Sequence, residues 1–373
     1  MKILHLGDLH LGKRVNEISM IEDQKFILDQ IVTLVKEEKI DVILLCGDIY
    51  DKAIPTIEAI HLLDEFLEEL SDLKVKVLMI SGNHDSSERL SFGRNLFKRS
   101  NLYIASQFNQ EIEKITIKED GYNINFYMLP FVKPAYINHV LKIQTETYEE
   151  CFKHLMEQVK INEDETNILL AHQFVTVGKN SPELSDSETS SLGGIDNIDY
   201  RLFDAFDYVA PQAMGREMVR YAGSILKYSF SEIYKDKQAT ILTISKNKQI
   251  SLSHHLLKPL RDMREMECSL ESLLKRKCEI GNEEDYMHVI LTDEEQILDA
   301  IGKVRTVYPN VMQISFKNRR HMMQYETIQM KENQIADQNP MELFEQFYKM
   351  QNHIDLDEKR AQMAISIFEE VIR

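Results

Sequence analysis

Residue types that bind divalent metal ions follow several short apolar runs in the first half of the chain. In sequence order, these endings are Gly7-Asp8-Leu9-His10, Gly47-Asp48 with Asp51 beyond it, Gly82-Asn83-His84-Asp85, and His172. Carboxylate, amide and imidazole donors without thiolates suit a borderline-hard divalent ion such as Mn²⁺. The pattern therefore predicts a metal centre.

The apolar runs predict buried strands, because they are short and are closed by glycine and polar residues. The expected strands cover residues 2–6, 42–46, 75–80, 113–117, 123–129, 167–171, 206–210, 218–223, 239–245 and 249–254. Helices are expected near 20–38, 56–70, 88–98 and 145–160, and a long loop is expected at 178–194. This order predicts two sheets, each covered by helices, in a four-layer α/β sandwich.

The length of the chain predicts more than one domain, since 373 residues exceed the usual limit for one hydrophobic core. We expect the sandwich to occupy residues 1–257 and a small α/β capping domain to occupy 258–325. Residues 326–373 would form a linker and C-terminal helices with apolar stripes. Such stripes pack either on the protein's own core or on a partner.

The charge balance limits the mode of nucleic-acid binding. The chain has 44 Lys and Arg against 61 Asp and Glu, a formal net charge of -17, which argues against binding by bulk attraction. Basic residues nevertheless follow two of the motifs, and the candidates for DNA contacts are Lys13, Arg14, Arg89 and Arg94. Equally, these residues fit a solvated surface.

The remaining composition predicts a cytoplasmic protein without a membrane segment. No apolar stretch approaches the ~20 residues of a membrane span, and the N-terminus has the pattern of a strand, not of a signal peptide. The 4 cysteines show no paired spacing, as expected in a reducing compartment.

The candidate ligands also fit a two-ion mechanism, in which ions about 3.5–4 Å apart share one carboxylate. Asp48 suits the bridging role. We expect Asp8 and His10 to complete one ion, and Asn83 and His172 to complete the other. His84 would remain free to protonate the leaving oxygen or to steady the phosphate. Behind the ligands, two acidic residues would either orient histidines or cap turns, and these are Asp51 and Asp85.

The motifs as a set resemble those of the calcineurin-like metallophosphoesterases. Within that family they are most similar to the nuclease subunits of bacterial nuclease–ATPase complexes. Further matching segments are Ser86-Ser87-Glu88-Arg89-Leu90, Tyr221-Ala222-Gly223-Ser224, Tyr228-Ser229-Phe230-Ser231-Glu232 and Lys258-Pro259-Leu260-Arg261. The resemblance implies an α/β/β/α metallophosphoesterase sandwich with two Mn²⁺ ions.

The same resemblance implies an activity and partners. The activity would be exonuclease and endonuclease cleavage of DNA ends and hairpins, in DNA repair and recombination. The small domain would contact DNA, the C-terminal helices would dock on a coiled-coil ATPase, and the subunit would form a homodimer.

One family motif, Gly-His-x-His, does not follow the strand that is expected at 206–210. In this chain Ala210 is followed directly by Pro211. By resemblance, the two missing histidines would each bind one metal ion. His254 and His255 are the next histidines, and their adjacent positions on a strand point to opposite faces, so we do not expect them to compensate. We therefore predict a folded protein with impaired nuclease activity.

Two other functions fit the sequence. A catalytically silent scaffold that binds DNA and the ATPase is favoured by the missing histidines and opposed by the remaining ligands. A small-molecule phosphodiesterase or a protein phosphatase would have the same core, but it would not need the extra domain and the C-terminal helices.

Overall fold

The computed structural model describes residues 1–119, 121–176, 198–211, 218–278, 281–293 and 297–317, and the single positions 344, 345, 348, 349, 356, 360, 361 and 364. The strands are β1 (Lys2–Leu6), β2 (Arg14–Val15), β3 (Ile18–Ser19), β4 (Val42–Cys46), β5 (Lys76–Ile80), β6 (Leu102–Ala105), β7 (Glu113–Glu119), β8 (Tyr122–Leu129), β9 (Thr166–Ala171), β10 (Val175–Thr176), β11 (Ile198–Asp199), β12 (Tyr208–Ala210), β13 (Gln238–Ile244), β14 (Ile250–Leu256), β15 (Met263–Cys268), β16 (Tyr286–Leu291) and β17 (Val311–Phe316). The helices are α1 (Ile21–Glu38), α2 (Ile57–Asp72), α3 (Ser87–Leu90), α4 (Arg94–Phe97), α5 (Pro134–Leu141), α6 (Tyr148–Glu157), α7 (Leu270–Leu274) and α8 (Ala300–Arg305).

Two larger sheets carry the fold. The first has the strand order β14-β13-β1-β4-β5-β6, in which β1, β4, β5 and β6 are parallel. The second has the order β12-β9-β8-β7, with β8, β9 and β12 parallel. Parallel strands end at the same edge of a sheet, so the residues that follow β1, β4 and β5 meet there. A further sheet has the order β15-β16-β17.

The buried residues lie in the layers that a sandwich requires. Ile3 and Leu44 of the first sheet share one apolar cluster with Phe126 of the second, so this cluster lies between the sheets. The opposite face of the first sheet packs on α1 and α2, and that of the second packs on α5 and α6. The predicted four-layer α/β/β/α arrangement is therefore confirmed.

Some local predictions were wrong. The helix expected at 88–98 divides into α3 and α4, because Gly93 between them has a φ of 73°. The strand expected at 218–223 is reduced to a bridge between Val209 and Val219. Neither β6 nor α5 was predicted, although Pro134 at the first turn of α5 is a recognised start signal.

The chain divides into two compact units. The first contains residues 1–266, 280–288 and 308–313, and the second contains the other described residues from 267 onward. The predicted boundaries at 257 and 325 stay predictions. The loop expected at 178–194 and most of the expected C-terminal helices lie outside the described residues. In the part that the structure describes, no helix has the length and the hydropathy needed to cross a bilayer.

Candidate metal centre

The predicted ligands converge at the carboxyl ends of four strands. Asp8 and His10 follow β1, Asp48 follows β4 and Asn83 follows β5, at one edge of the first sheet. His172 follows β9 of the second sheet and faces the same place. The structure thus brings together residues that are separated by more than 160 positions in sequence.

The distances between donor atoms suit ligands around shared ions. Nε2 of His172 lies 3.2 Å from Oδ1 of Asn83, 3.4 Å from Oδ2 of Asp48 and 3.9 Å from Oδ1 of Asp8. Nε2 of His10 lies 3.7 Å from Oδ2 of Asp48 and 4.0 Å from Oδ1 of Asp8. Asp8 and Asp48 thus both lie beside the two histidines, and Asp48 is the nearer to each of them, as expected of a bridging ligand.

His84 joins the same cluster. One ring nitrogen of His84, one ring nitrogen of His10 and a carboxylate oxygen of Asp48 lie within 4.8 Å of one another. Asp8, Asp48 and His172 form a second group with the same spacing. The two groups share Asp48, so two candidate cation sites lie side by side.

Two glycines make this close approach possible. A Cβ built on Gly47 would overlap the ring of His172, and a Cβ on Gly82 would overlap the carboxylate of Asp48. Gly47 also has a φ of 87°, a conformation that other residues rarely adopt. The glycines of Gly47-Asp48 and Gly82-Asn83 are therefore required by packing against a ligand, whereas a Cβ on Gly7 would meet only ordinary contacts.

Three candidate ligands have a strained backbone. The φ angles of Asp8, His10 and Asp48 are 46°, 45° and 46°, in the left-handed region where a residue with a side chain costs about 1–3 kcal/mol. Such strain persists only where surrounding contacts hold it. Its concentration on three neighbouring candidate ligands is typical of a functional site.

Backbone carbonyls fix the orientation of two imidazole rings. Nδ1 of His172 donates to the carbonyl of Cys46 at 2.8 Å, and Nδ1 of His84 donates to the carbonyl of Asp51 at 2.8 Å. A carbonyl only accepts, so both rings carry a hydrogen on Nδ1. In each neutral ring, Nε2 is left with a lone pair for a metal ion or a proton.

The electrostatics of the cluster favour a cation. Burial opposes charge on His172, but the carboxylates of Asp48 and Asp8 outweigh it and raise its pKa to about 9. Burial likewise disfavours charge on Asp48 and so raises its pKa, but His172 and His10 outweigh this effect and hold the pKa below its usual range. Burial lowers the pKa of His10 to about 4. The lowered pKa of Asp48 therefore favours the ionised form of this shared carboxylate.

The two acidic residues behind the ligands have different contacts. Asp85 accepts hydrogen bonds from the backbone N–H groups of Ile49, Tyr50 and Gly82 at 2.8–3.1 Å, which is the turn-capping role. The backbone carbonyl of Asp51 accepts a hydrogen bond from His84. The side-chain Oδ1 of Asp51 lies 3.8 Å from Nδ1 of His10. Asp51 thus faces two histidines, as an orienting residue would.

The basic candidates differ in their availability. Nζ of Lys13 forms an ion pair with Oδ1 of Asp51 at 2.9 Å. Nη1 of Arg94 lies 3.8 Å from a carboxylate oxygen of Glu113. Arg14 and Arg89 are exposed and bond to backbone carbonyls, so these two arginines have the greatest freedom to meet a phosphate.

The strand that precedes the missing motif ends beside the centre. In β12, Val209 pairs in parallel with Leu169 and Ala210 with Leu170 of β9, and His172 follows two residues after Leu170. A ligand turn placed directly after Ala210 would therefore start next to His172. His254 and His255 lie on β14, at an edge of the first sheet, and both are exposed.

Two residues that support the site were missed from sequence. Gln24 is fully buried on α1 and bonds to the loop that carries His10. Tyr228 is also buried and bonds to the same loop. A sequence signal existed for Gln24, since it lies three and seven positions before Ile27 and Ile31 on the buried face of the helix.

The donor set fits divalent metal ions. Nε2 of His172 has a lone pair in the neutral ring, and the oxygens that surround it also accept. Acceptor atoms this close together repel one another unless a proton or a cation lies between them. Oxygen and imidazole ligands suit Mn²⁺ and related ions. Bound ions of this kind support hydrolysis of phosphate esters.

Comparison with known proteins also identifies a phosphoesterase domain in this chain. Residues 1–205 match the calcineurin-like phosphoesterase family, and residues 259–352 match a domain described as the type 5 capsule protein repressor C-terminal domain. The SbcD subunit of the nuclease SbcCD from Staphylococcus epidermidis is 34% identical over 360 residues, which cover 94% of this chain and 93% of that protein.

Solved structures match at lower similarity. TT1561 of Thermus thermophilus has a TM-score of 0.39 at 14% identity and covers 68% of this chain and 97% of its own. A dimetal phosphatase from Danio rerio has a TM-score of 0.41 at 11% identity and covers 69% of this chain and 98% of its own.

Proposed function

Because the chain belongs to the calcineurin-like phosphoesterases, and within them to the SbcD-type nuclease subunits, we propose that it is a Mn²⁺-dependent DNA phosphodiesterase. Its substrates would be DNA ends and hairpins, and its role would be DNA repair and recombination in the cytoplasm. The observation that carries the proposal is the pair of ligand groups that share Asp48.

The chain's own residues would hold two divalent ions. We expect Asp8 and His10 to hold one ion and Asn83 and His172 the other, with Asp48 shared by both. The groups in the structure differ in one respect, since they place Asp8 beside His172 and His10 beside His84. When bound, such ions supply a water nucleophile and neutralise charge on the phosphoryl oxygens. The identity of the metal as Mn²⁺ is supported by the mixed oxygen and imidazole donors.

His84 would handle the leaving group. Its Nδ1 is held by the carbonyl of Asp51 at 2.8 Å, so Nε2 is the nitrogen left to face a substrate. A charged imidazole there would donate a proton to the leaving oxygen or a hydrogen bond to the phosphate. The backbone carbonyl of Asp51 would orient the ring of His84, and the Asp51 carboxylate lies near His10 without a hydrogen bond to it.

Activity would be impaired because the Gly-His-x-His motif is missing after Ala210. Each ion would keep three protein ligands when Asp48 is counted for both. Changes to residues behind the ligands alone commonly cost about 10–100-fold in metal affinity or activity, and the loss of direct ligands should cost more. The pairing of β12 with β9 supports this proposal, because it places Ala210, where the motif would begin, near His172.

The proposed partners are DNA, an SbcC-type coiled-coil ATPase and a second copy of the chain. The ATPase is suggested by the relative's description as part of the SbcCD nuclease, and residues 340–373 would dock on it. Deletion of 340–373 should abolish this association and leave the unfolding curve of the core unchanged. If association persisted, the docking site would have to lie elsewhere.

A homodimer is supported by exposed apolar side chains near the site. Four of these side chains are 70%, 71%, 82% and 65% exposed, namely Ile54, Ile57, Phe92 and Leu96. Arg89 donates a hydrogen bond to the carbonyl of Ala53 and so connects the two segments.

Sedimentation of a Phe92→Glu variant should show a monomer. A Tyr234→Glu variant, at a 91% exposed position elsewhere, is the matched control and should sediment like the parent chain.

The alternative function is a catalytically silent scaffold that binds DNA and the ATPase, and the missing histidines favour it. The test is cleavage of labelled duplex and hairpin DNA with Mn²⁺, by this chain and by an Asp48→Ala variant. Cleavage by this chain, without cleavage by the Asp48→Ala variant, would support the nuclease function. Absence of cleavage, together with retained DNA binding, would support the scaffold.

A further inference from the structure

The side chain of Gln24 holds the loop that carries His10. Its Nε2 donates to the carbonyl of His10 at 2.8 Å and lies 3.4 Å from that of Leu9. Its Oε1 accepts from the backbone N–H of Gly12 at 3.0 Å. Gln24 lies on α1 and is fully buried, so one side chain spans the whole 9–12 loop from a rigid helix.

Tyr228 holds the same loop from another part of the chain. Its hydroxyl donates to the carbonyl of Leu9 at 2.7 Å and accepts from Nε2 of Gln24 at 2.9 Å. Its ring meets the ring of His10 edge to face, with centroids 5.9 Å apart at 89°. Gln24 and Tyr228 therefore form one buried network against the backbone and the side chain of His10.

The chemistry of this network requires an amide. The loop presents carbonyls of Leu9 and His10, which need a donor, and the N–H of Gly12, which needs an acceptor. Glutamine supplies both from one side chain, whereas ionised glutamate lacks the donor, and methionine has no donor and only a weakly accepting sulfur. Because Leu9 and His10 are buried, a carbonyl of either residue left without a donor would be costly.

The loop needs such support because its backbone is strained. His10 has a φ of 45°, and its N–H donates to the carbonyl of Asp48 at 2.9 Å. This conformation directs Nε2 of His10 to within 3.7 Å of Oδ2 of Asp48. A small rotation of the loop would separate the two side chains.

We infer that Gln24 and Tyr228 are positioning residues for His10 and set the affinity of the ion that His10 holds. This rests on the proposed metal-dependent function. Both residues act through the loop, without contact to an ion or a substrate. The inference differs from a general role in stability, because only one of the two ions should respond.

The first test measures amide hydrogen exchange of residues 9–12 in the metal-free protein. We expect Gln24→Met and Tyr228→Phe to speed exchange in this loop. Gln30→Met is the matched control, since Gln30 lies on the same helix and bonds instead to the backbone of Lys258. Exchange in the Gln24→Met loop that is no faster than in the control would overturn the inference.

The second test is titration with Mn²⁺, followed by electron paramagnetic resonance. Gln24→Met should weaken one of two ions by about 10–100-fold, and Tyr228→Phe should weaken the same ion. In a His10→Ala background the Gln24→Met change should have no further effect on Mn²⁺ affinity, as expected for residues that act through one another.

The outcomes separate this inference from the proposed function. Equal weakening of both ions, or an additive effect in the His10→Ala background, would overturn the positioning role. Absence of Mn²⁺ binding to the parent chain would instead remove the proposed function, and the exchange experiment would still decide whether Gln24 holds the loop. If Gln24→Met failed to fold, Tyr228→Phe would carry both tests.

Discussion

Gly47 lies against the ring of His172, so closely that a single Cβ on Gly47 would overlap it. Gly47 follows β4 of the first sheet, and His172 follows β9 of the second. The contact joins the two sheets at the edge where the candidate ligands meet. It also explains why a glycine must precede Asp48, the residue that both ligand groups share.

Substitution of Gly47 should damage the metal centre more than the fold. A Gly47→Ala variant would displace His172, and we expect Mn²⁺ affinity to fall by about 10–100-fold. The left-handed φ of 87° adds a stability loss of about 1–2 kcal/mol. Urea unfolding and Mn²⁺ titration measure the two effects separately.

Gly121 provides the matched control, because it has a φ of 86° with no atom near its Cβ position. Gly121→Ala should therefore show the same backbone strain without loss of Mn²⁺ affinity. Equal Mn²⁺ affinities in the two variants would refute the role assigned to Gly47.

His5 should make the fold sensitive to acid. It is buried between the sheets with Nδ1 3.0 Å from the hydroxyl of Tyr208, and burial lowers its pKa from 6.5 to about 3. Between these values the unfolded chain binds a proton that the folded chain does not. Stability is therefore lost as the pH falls from 6.5 towards 3, with a limiting slope of about 1.4 kcal/mol per pH unit.

The measurement is the free energy of unfolding in urea between pH 4 and pH 7. A His5→Gln variant should show a shallower slope than the parent chain, because its side chain takes up no proton. The control is His255→Gln, at an exposed position, which should leave the slope unchanged. Equal slopes for His5→Gln and the parent chain would contradict the prediction.

Arg89 should contribute a phosphate contact. An Arg89→Ala variant is expected to bind duplex DNA more weakly, with the slope of log affinity against log salt reduced by about 0.9 for one lost contact. Arg201→Ala is the control, since Arg201 is exposed but already engaged by Asp199 at 2.7 Å. A salt slope that does not differ between the two variants would exclude Arg89 from the DNA surface.

The sequence was sufficient to predict the sandwich and the convergence of the ligands. Asp8, Asp48 and Asn83 each follow an apolar run that forms a parallel strand of one sheet, and parallel strands bring such endings to one edge. The register between β9 and β12, which places Ala210 near His172, follows from tertiary pairing. No local pattern specifies it.

Other features could not be predicted from local patterns. The apolar segment at 218–223 did not become a strand, since Val219 makes only a bridge to Val209. Gln24 and Tyr228 act across 204 positions in sequence, and their role depends on a buried network that only the folded chain creates. Sequence patterns favour periodic elements, and these residues work through long-range polar contacts.

The most direct test of the account is restoration of the missing motif. Insertion of Gly-His-Leu-His between Ala210 and Pro211 should return one ligand to each ion, and we expect Mn²⁺-dependent cleavage of a DNA hairpin to rise by at least about 10-fold. An Asp48→Ala change in the restored chain should abolish the gain. No increase in cleavage after insertion, in a variant that folds and binds DNA like the parent chain, would contradict the account.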